Sequence, residues 1–274
     1  MTTTSESTGH ALDISVLMPV HGRADLAQLA AALESVVNQT LQPSEIVVVL
    51  DDPVPVAQRD LLSRFPGVRV VTVPPHSGMG RACARGLEEC RSTWVARADA
   101  DDLNEPQRLE RQLALLASSG ADVCSADMTE FEGSPDRVLG VRRGPREHRE
   151  FARRMRSRNP VHHPTAVFRR DAALRSGGYG AMRTHEDYDL WARMLRDGAR
   201  FVGAADPLVR YRTDGMLARR SGNDLRAERD LQRRLRDYGV VGPVRSRVNR
   251  IVRGAYLRLP TPVLGRVYAL VFRR

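Results

Sequence analysis

Three carboxylates, Asp99, Asp101 and Asp102, fall within four residues of the stretch "WVARADADDLNEP", directly after an apolar run. Acids packed that closely repel and raise one another's pKa, so the cluster needs water, backbone donors or a cation to compensate. Asp-x-Asp on a loop after a strand suits a hard divalent cation, Mg²⁺ or Mn²⁺, which takes oxygen ligands and keeps positions open for phosphate oxygens. A solvated acidic turn before a helix start near Glu105 and Pro106 would carry the same residues. An EF-hand is excluded, because the loop lacks the glycine and the final glutamate that motif requires. A further acid, Asp51, ends the run "EIVVVL" and can accept hydrogen bonds from a base or a sugar, while capping the next turn is the competing role for Asp51 and Asp52. Two acidic loops at neighbouring strand ends suit a metal-bound nucleotide better than two unrelated caps. Glu186 and Asp187 open "HEDYDLWARML", where Leu190, Met194 and Leu195 form an apolar stripe. Acids are favoured in any first helical turn, and a carboxylate there could equally take a proton from an attacking hydroxyl. Local sequence leaves both roles open.

These acids need a scaffold, and the apolar pattern supplies one. From Ile14 the runs "ISVLMPV", "EIVVVL", "VRVVTV", "TWVARA" and "ADVCSA" alternate with helical stretches, the first of which sets Leu26, Leu29, Ala30, Leu33, Val36 and Val37 on one face. Continuous apolar strands alternating with helices predict an α/β fold, a Rossmann-like, mostly parallel sheet with helices on both faces. Ligands of such sheets bind at the carboxyl ends of the strands. Here those ends are Val20-His21-Gly22, Asp51-Asp52, the Pro74 to Gly80 loop and Asp99 to Asp102. After Ala126 the alternation stops. The expected organisation is a loose polar tail over 1–12, a nucleotide-binding half over 13–126, an acceptor half over 127–222 and a basic helical tail over 223–274.

Composition narrows the function classes. The chain has 274 residues, 42% of them hydrophobic, which is ample for a core. Cys83, Cys90 and Cys124 have neither metal-ligand spacing nor an even count, so no disulfide framework is expected and a reducing cytoplasm fits. The first eleven residues lack the regions of a signal peptide. The run "VLGRVYALVF", interrupted by Arg266, is shorter than the roughly 20 residues that span a bilayer, so no transmembrane helix is expected. Net charge is +10 with every basic side chain an arginine; Tyr238 to Arg274 carries +8, Arg137 to Arg158 carries +7, and the remainder is −5. Basicity that local, beside an acidic remainder, gives no expectation of a nucleic-acid partner. Within the tail, "VRSRVNRIVRGAYLRLP" sets Val244, Val248, Ile251, Val252 and Ala255 on one helical face, with Arg245, Arg247, Arg250 and Arg253 around the rest. That pattern suits an interfacial helix on an anionic leaflet, with Tyr256, Tyr268 and Phe272 at headgroup level. A helix docked on the protein's own surface gives the same pattern. The expected location is cytoplasmic, with peripheral contact at the inner face of the plasma membrane.

The ordered set "ISVLMPVHG", "SVVNQTLQPSEIVVVLDDP", "GMGRACARGLEEC", "VARADADDLNEPQRLERQ", "NPVHHPTAVFRR", "GGYG" and "HEDYDLWARML" resembles the family 2 glycosyltransferases of GT-A fold. The likeness runs from Ile14 to about Gly222 and is nearest to the bacterial branch that builds exopolysaccharides, amylovoran included, and cell-surface glycans. The resemblance implies that Asp51 contacts the nucleotide base, that Asp99 lies near the ribose, and that Asp101, with Asp99 as a second ligand, joins Mn²⁺ or Mg²⁺ to the diphosphate. It also places Pro19, His21, Gly78 and Arg97 at the nucleotide sugar, Asp187 as the catalytic base and Glu186 beside it at the acceptor. In such enzymes the acceptor hydroxyl attacks the anomeric carbon of a nucleoside-diphosphate sugar in one displacement with inversion, and the cation stabilises the leaving diphosphate. His163 matches a recurrent histidine and is expected in the acceptor wall; a metal role for it or His162 is not.

Arg212, Arg219 and Arg220 form either a solvated face or a clamp on a diphosphate of the donor or of a lipid carrier. His21-Gly22 stands where Tyr-Asn is common, Asp52 where glycine is frequent, and Cys83-Ala84 where Arg-Asn is usual, departures that touch donor-base contacts more than chemistry. The Gln-x-x-Arg-Trp motif of processive synthases is missing, so transfer of single sugars to a glycan or lipid-linked acceptor is expected. Two rivals fare worse. A sugar nucleotidyltransferase needs a glycine-rich basic loop after the first strand, which "PVHGRADLAQ" matches poorly, and a non-catalytic basic module for nucleic acid or membrane leaves the acidic sheet edge unexplained.

Overall fold

Four apolar runs become β1 (Ile14–Val20), β2 (Glu45–Leu50), β3 (Val68–Thr72) and β4 (Trp94–Arg97), paired in parallel in the order β3-β2-β1-β4. The computed structural model describes residues 13–51, 54–180, 182, 184–214, 225–259 and 261–272. Successive side chains of a strand point to opposite faces, and both faces are apolar here. Leu17, Val47, Val49 and Val95 enter one core, with α3 (Met79–Glu89) laid over them. Val16, Met18, Ile46, Val48 and Ala96 enter the other, under α1 (Leu26–Val37), α2 (Val56–Ser63) and α4 (Arg108–Ser119). The expected stripe of α1 buries Leu29, Leu33 and Val36, while Leu26, in the turn capped by Asp25, stays exposed.

Beyond β4 the sheet is mixed. It continues through β8 (Val167–Arg169), β6 (Val123–Glu132), β9 (Phe201–Arg212) and β5 (Leu103–Asn104), with β7 (Ser134–Arg142) paired to β6. β8 runs antiparallel to both β4 and β6, whereas β6 and β9 are parallel. The parallel arrangement expected from the alternation therefore holds for β1 to β4. After the hairpin at Gly133 the chain runs back, and β7 and β8, separated by α5 (His148–Met155), both oppose β6.

On the α3 face follow α6 (Arg170–Arg175) and α7 (Glu186–Arg196), whose Leu190, Trp191 and Met194 are buried. The C-terminal segment forms α8 (Leu225–Asp237), α9 (Pro243–Leu257) and α10 (Thr261–Phe272). Leu231 and Leu235 of α8 share the core of Trp191. α9 docks through its polar stripe: Ser246 and Asn249 are buried, and Asn249 Nδ2 donates to Arg156 O at 2.8 Å. Its apolar stripe points outward, with Val244 77%, Val248 45%, Ile251 66% and Val252 59% exposed.

Two aromatic residues expected at headgroup level lie elsewhere. Tyr268 is buried and its hydroxyl donates to the buried carboxylate of Glu130, while Tyr256 lines a cavity beside α7. A tyrosine hydroxyl needs a partner when buried, and Glu130 supplies it. The polar start over 1–12, Asp52, Arg219, Arg220 and the Phe272 side chain lie outside the described residues. Among the described residues no helix is long and apolar enough to cross a membrane.

Candidate active site

Two adjoining cavities, both touching Met79, open at the carboxyl edge of the parallel strands. The smaller, about 260 Å³, is lined by Pro19, His21, Asp51, His76 and Gly78. It brings together four residues that the sequence assigns to the donor. Gly78 caps α3 with φ of 83°, a conformation glycine adopts without penalty. Its N–H donates to both carboxylate oxygens of Asp51, at 2.9 and 3.1 Å, so the end of β2 holds the loop after β3.

The larger cavity, about 410 Å³, collects Arg97, Asp99, Asn159, His163, Glu186 and Asp187. Arg97 ends β4 fully buried; burial opposes its charge most strongly, but the Asp99 carboxylate, 2.6 Å from Nη2, together with Cys83 and Tyr179 raises its pKa. Asp99 is thereby fixed at the cavity edge. Asp101 and Asp102 belong to the same turn, and Asp101 lines neither cavity. Asp102 is buried: Oδ1 accepts from Arg212 N at 2.8 Å, and Oδ2 has no hydrogen-bond partner among the described residues. Burial first, then Asp99 and Asp101, push its pKa well up.

Arg212, read as a solvated face or a diphosphate clamp, is held by protein partners. Its Nε donates to Asp101 O at 3.1 Å and its Nη1 to Gly133 O at 2.7 Å, and it lines neither cavity. It staples the acidic turn to the β6–β7 hairpin, where the Phe131 ring packs 4.6 Å from the guanidinium. Apart from nearby Asp214, its partners come from residues far along the chain and are invisible to local sequence.

Among the described residues no three acid, histidine or cysteine side chains converge as a metal cluster. The turn is nevertheless oxygen-rich, and the buried Asp102 Oδ2 has no hydrogen-bond partner among the described residues. Asp99 and Asp101 are the donor set a Mg²⁺ or Mn²⁺ ion uses when phosphate and water fill the remaining positions. The residues fit such an ion.

α7 starts at His185, which caps it in a left-handed conformation with φ of 67°. Its first turn reaches the cavity because Gly80 lets α3 come close: a Cβ there would stand 2.6 Å from Gly180 O and 2.8 Å from Met182 O. Glu186 is buried, and burial, then neighbouring Asp187, pushes its pKa to about 8. Asp187 accepts from Tyr188 N at 2.8 Å and from Asn159 Nδ2 at 2.6 Å. Burial raises its pKa also, while these two donors and His185 work the other way. Adjacent buried carboxyl groups resist double ionisation, so the one with donors carries the charge and Glu186 keeps its proton.

His163 lines the larger cavity, its Nε2 2.9 Å from Tyr179 Oη, and burial, then Arg97, holds its pKa well below the ordinary value. His162 pairs with Ala126 O at 3.0 Å and is pushed down to about 3, chiefly by burial. Both imidazoles are neutral.

Several cavity residues escaped the sequence reading. Asn159 sits in a quoted motif without an assigned role, and Arg142 and Arg158 belong to a segment read only as charge. Arg142 Nη2 lies 2.8 Å from buried Glu130, and its guanidinium stands 5.6 Å from the Tyr211 ring. Glu228 of α8, 3.8 Å from His185 Nε2, and Arg253 of α9, 3.6 Å from Glu228, close the cavity from the C-terminal helices with Tyr256. The signal was present: Ser246, Asn249, Arg253 and Tyr256 recur every three or four residues, a second stripe on the helix whose valines drew attention.

Comparison with known proteins agrees with this geometry. Residues 15–176 match the family described as Glycosyl transferase family 2. The chain is 30% identical to the amylovoran biosynthesis glycosyltransferase AmsE of Erwinia amylovora, over 93% of this chain and 97% of that one. It is 28% identical to a UDP-Gal:alpha-D-GlcNAc-diphosphoundecaprenol beta-1,3-galactosyltransferase of Escherichia coli, over 95% and 96%. The crystal structure of S. aureus TarS 1-349 in complex with UDP-GlcNAc superposes with a TM-score of 0.64 at 16% identity, covering 81% of this chain and 66% of that one. That likeness is one of fold, the GT-A fold.

Proposed function

The chain belongs to glycosyl transferase family 2 and is a glycosyltransferase, and from that premise we propose that it moves one sugar from a nucleoside-diphosphate sugar to a hydroxyl of a glycan or lipid-linked acceptor, inverting the anomeric centre. The observation that carries this reading is Asp187, held by two hydrogen bonds beside Glu186 in the cavity that Asp99 also lines. The nucleotide would occupy the cavity of Pro19, His21, Asp51 and Gly78, with the sugar reaching past Met79. The acceptor hydroxyl gives its proton to Asp187 as its oxygen bonds to the anomeric carbon, and the bond to the diphosphate oxygen breaks with its electron pair. Protonated Glu186 offers a hydrogen-bond donor to a sugar hydroxyl. A divalent cation held by Asp99 and Asp101 would supply positive charge for the leaving diphosphate.

Arg142, Arg158 and Arg253 in the same cavity favour an acceptor that carries phosphate. The E. coli relative is named for a diphosphoundecaprenol-linked acceptor and for UDP-Gal, and the TarS structure holds UDP-GlcNAc, which supports the same classes here. The outward valines of α9, among exposed arginines and no acid from Tyr238 onward, suit an anionic leaflet, so the enzyme works peripherally at the inner face of the membrane. Diphosphate release should be measured across UDP- and GDP-sugars with Mn²⁺, Mg²⁺ or chelator, with and without a lipid-diphosphate sugar. Acceptor-dependent, cation-dependent release with one donor is expected; acceptor-independent release or none across the panel contradicts the reading. Val248→Asp with Ile251→Asp should release the protein from anionic vesicles at low salt, and equal partitioning of variant and native protein rejects membrane contact.

A further inference from the structure

We propose that Asn159 is the positioning residue of the reaction, holding the Asp187 carboxylate in one rotamer and in its charged form. This rests on the reading of Asp187 as the base. Asn159 Nδ2 donates to Asp187 Oδ2 at 2.6 Å, while Asn159 Oδ1 accepts from Val161 N at 3.1 Å. The second bond decides the first: because a backbone N–H claims the amide oxygen, the amide nitrogen must face the carboxylate. Pro160 follows directly and restricts the Asn159 backbone to extended conformations, so the donor sits on a stiff segment. Tyr188 N holds the other oxygen, Oδ1, at 2.8 Å. Each carboxylate oxygen thus has one fixed donor and keeps a lone pair for an incoming hydroxyl.

The chemistry of the donor matters. An arginine in place of Asn159 would stabilise the anion but cancel its charge and weaken it as a base; an amide stabilises the charge and leaves it in place. The other titratable groups around Asp187 are His185, Glu186 and Tyr188 on its own helix or its cap and Tyr179 in the preceding segment. Arg97 of β4 acts on Glu186, and Glu228 of α8 with Arg253 of α9 acts on His185. Burial in this desolvated cavity favours the protonated form of Asp187, and fixed donors must oppose it. Among the described residues, Asn159 is the side chain that donates a hydrogen bond to it.

Two variants separate position from fold. Asn159→Asp keeps the shape and the acceptor for Val161 N while replacing the donor by a second carboxylate oxygen facing Asp187; Asn159→Ala removes both donor and acceptor. The readouts are the pH dependence of kcat at saturating donor and acceptor, calorimetric binding of UDP or GDP, and the thermal midpoint. The proposal predicts an acid limb of kcat displaced upward by about one unit in Asn159→Ala and further in Asn159→Asp, with turnover on that limb down about tenfold and nucleotide affinity unchanged. An acid limb that superimposes on that of the native enzyme in a folded variant overturns it, as does lost nucleotide affinity with kcat intact. Should Asp187→Asn retain native turnover, the reading of the base itself falls, a result distinct from failure at Asn159.

Discussion

The donor edge and the acceptor wall are built by different rules. At the donor edge the functional residues lie at or just beyond the ends of parallel strands, and bonds between neighbouring strand-end loops hold them, as Gly78 N holds Asp51. The acceptor wall is assembled from β7, the Asn159 segment, α7 and two C-terminal helices, and its charges are fixed by partners on other elements, as Glu130 of β6 holds Arg142 and Glu228 of α8 holds Arg253. One region inherits its geometry from topology; the other must be built by packing. Substitutions at the first should act on nucleotide binding, and those at the second on turnover and acceptor affinity.

The largest expected effect breaks the pair at its chemical centre. Asp187→Asn lowers kcat by about 10² to 10⁴, the usual worth of a positioned base, while calorimetry shows nucleotide binding intact. Native turnover at saturating acceptor would reduce Asp187 to an acid that caps its helix. Next, Asp101→Ala should lower Mn²⁺-dependent UDP or GDP binding by at least about tenfold, with Asp99→Ala weaker in effect. Unchanged cation-dependent binding removes Asp101 from the donor site, a sharp test because its side chain lines neither cavity.

Arg253→Ala probes the wall contributed by α9. KM for a phosphate-bearing acceptor should rise about tenfold, the worth of one charge-assisted hydrogen bond, with little change for a neutral glycoside of the same sugar. An equal rise for both acceptors assigns Arg253 to packing with Glu228 instead.

The smallest effect concerns stability. Glu186 has a folded pKa of about 8 against an ordinary 4.5, so the folded protein holds that proton more tightly than the unfolded chain. Stability contributed by the neutral form is present below the unfolded value and is lost as pH rises through about 8. Glu186→Gln should flatten the fall in thermal midpoint between pH 5 and pH 8 by about 3 °C.

The unequal legibility of the two regions follows from how they are built. Continuous apolar runs and strand-end acids mark β1 to β4 and place Asp51 and Asp99 at the carboxyl edge of the sheet, because that geometry follows from the chain's local order. The same pattern says nothing of β8 entering antiparallel between β4 and β6, since that pairing depends on competition among distant strands. Glu186 and Asp187 were legible through their motif, and Asn159 was not, because a hydrogen bond across 28 positions leaves no spacing signature. In the tail, the amphipathic pattern identified the α9 helix but not the face it buries: the polar stripe docks, and the valines stay outside. Tyr256 and Tyr268 were misplaced for the same reason.

The measurement that bears most directly on the central claim is the anomeric configuration of the first-formed product. With the active donor in hand, proton NMR of the product before any mutarotation reads the new linkage. Direct attack by an acceptor hydroxyl deprotonated at Asp187 predicts the configuration opposite to that of the donor sugar. A product that retains the donor's configuration contradicts it, because retention requires chemistry that a single base at Asp187 does not perform.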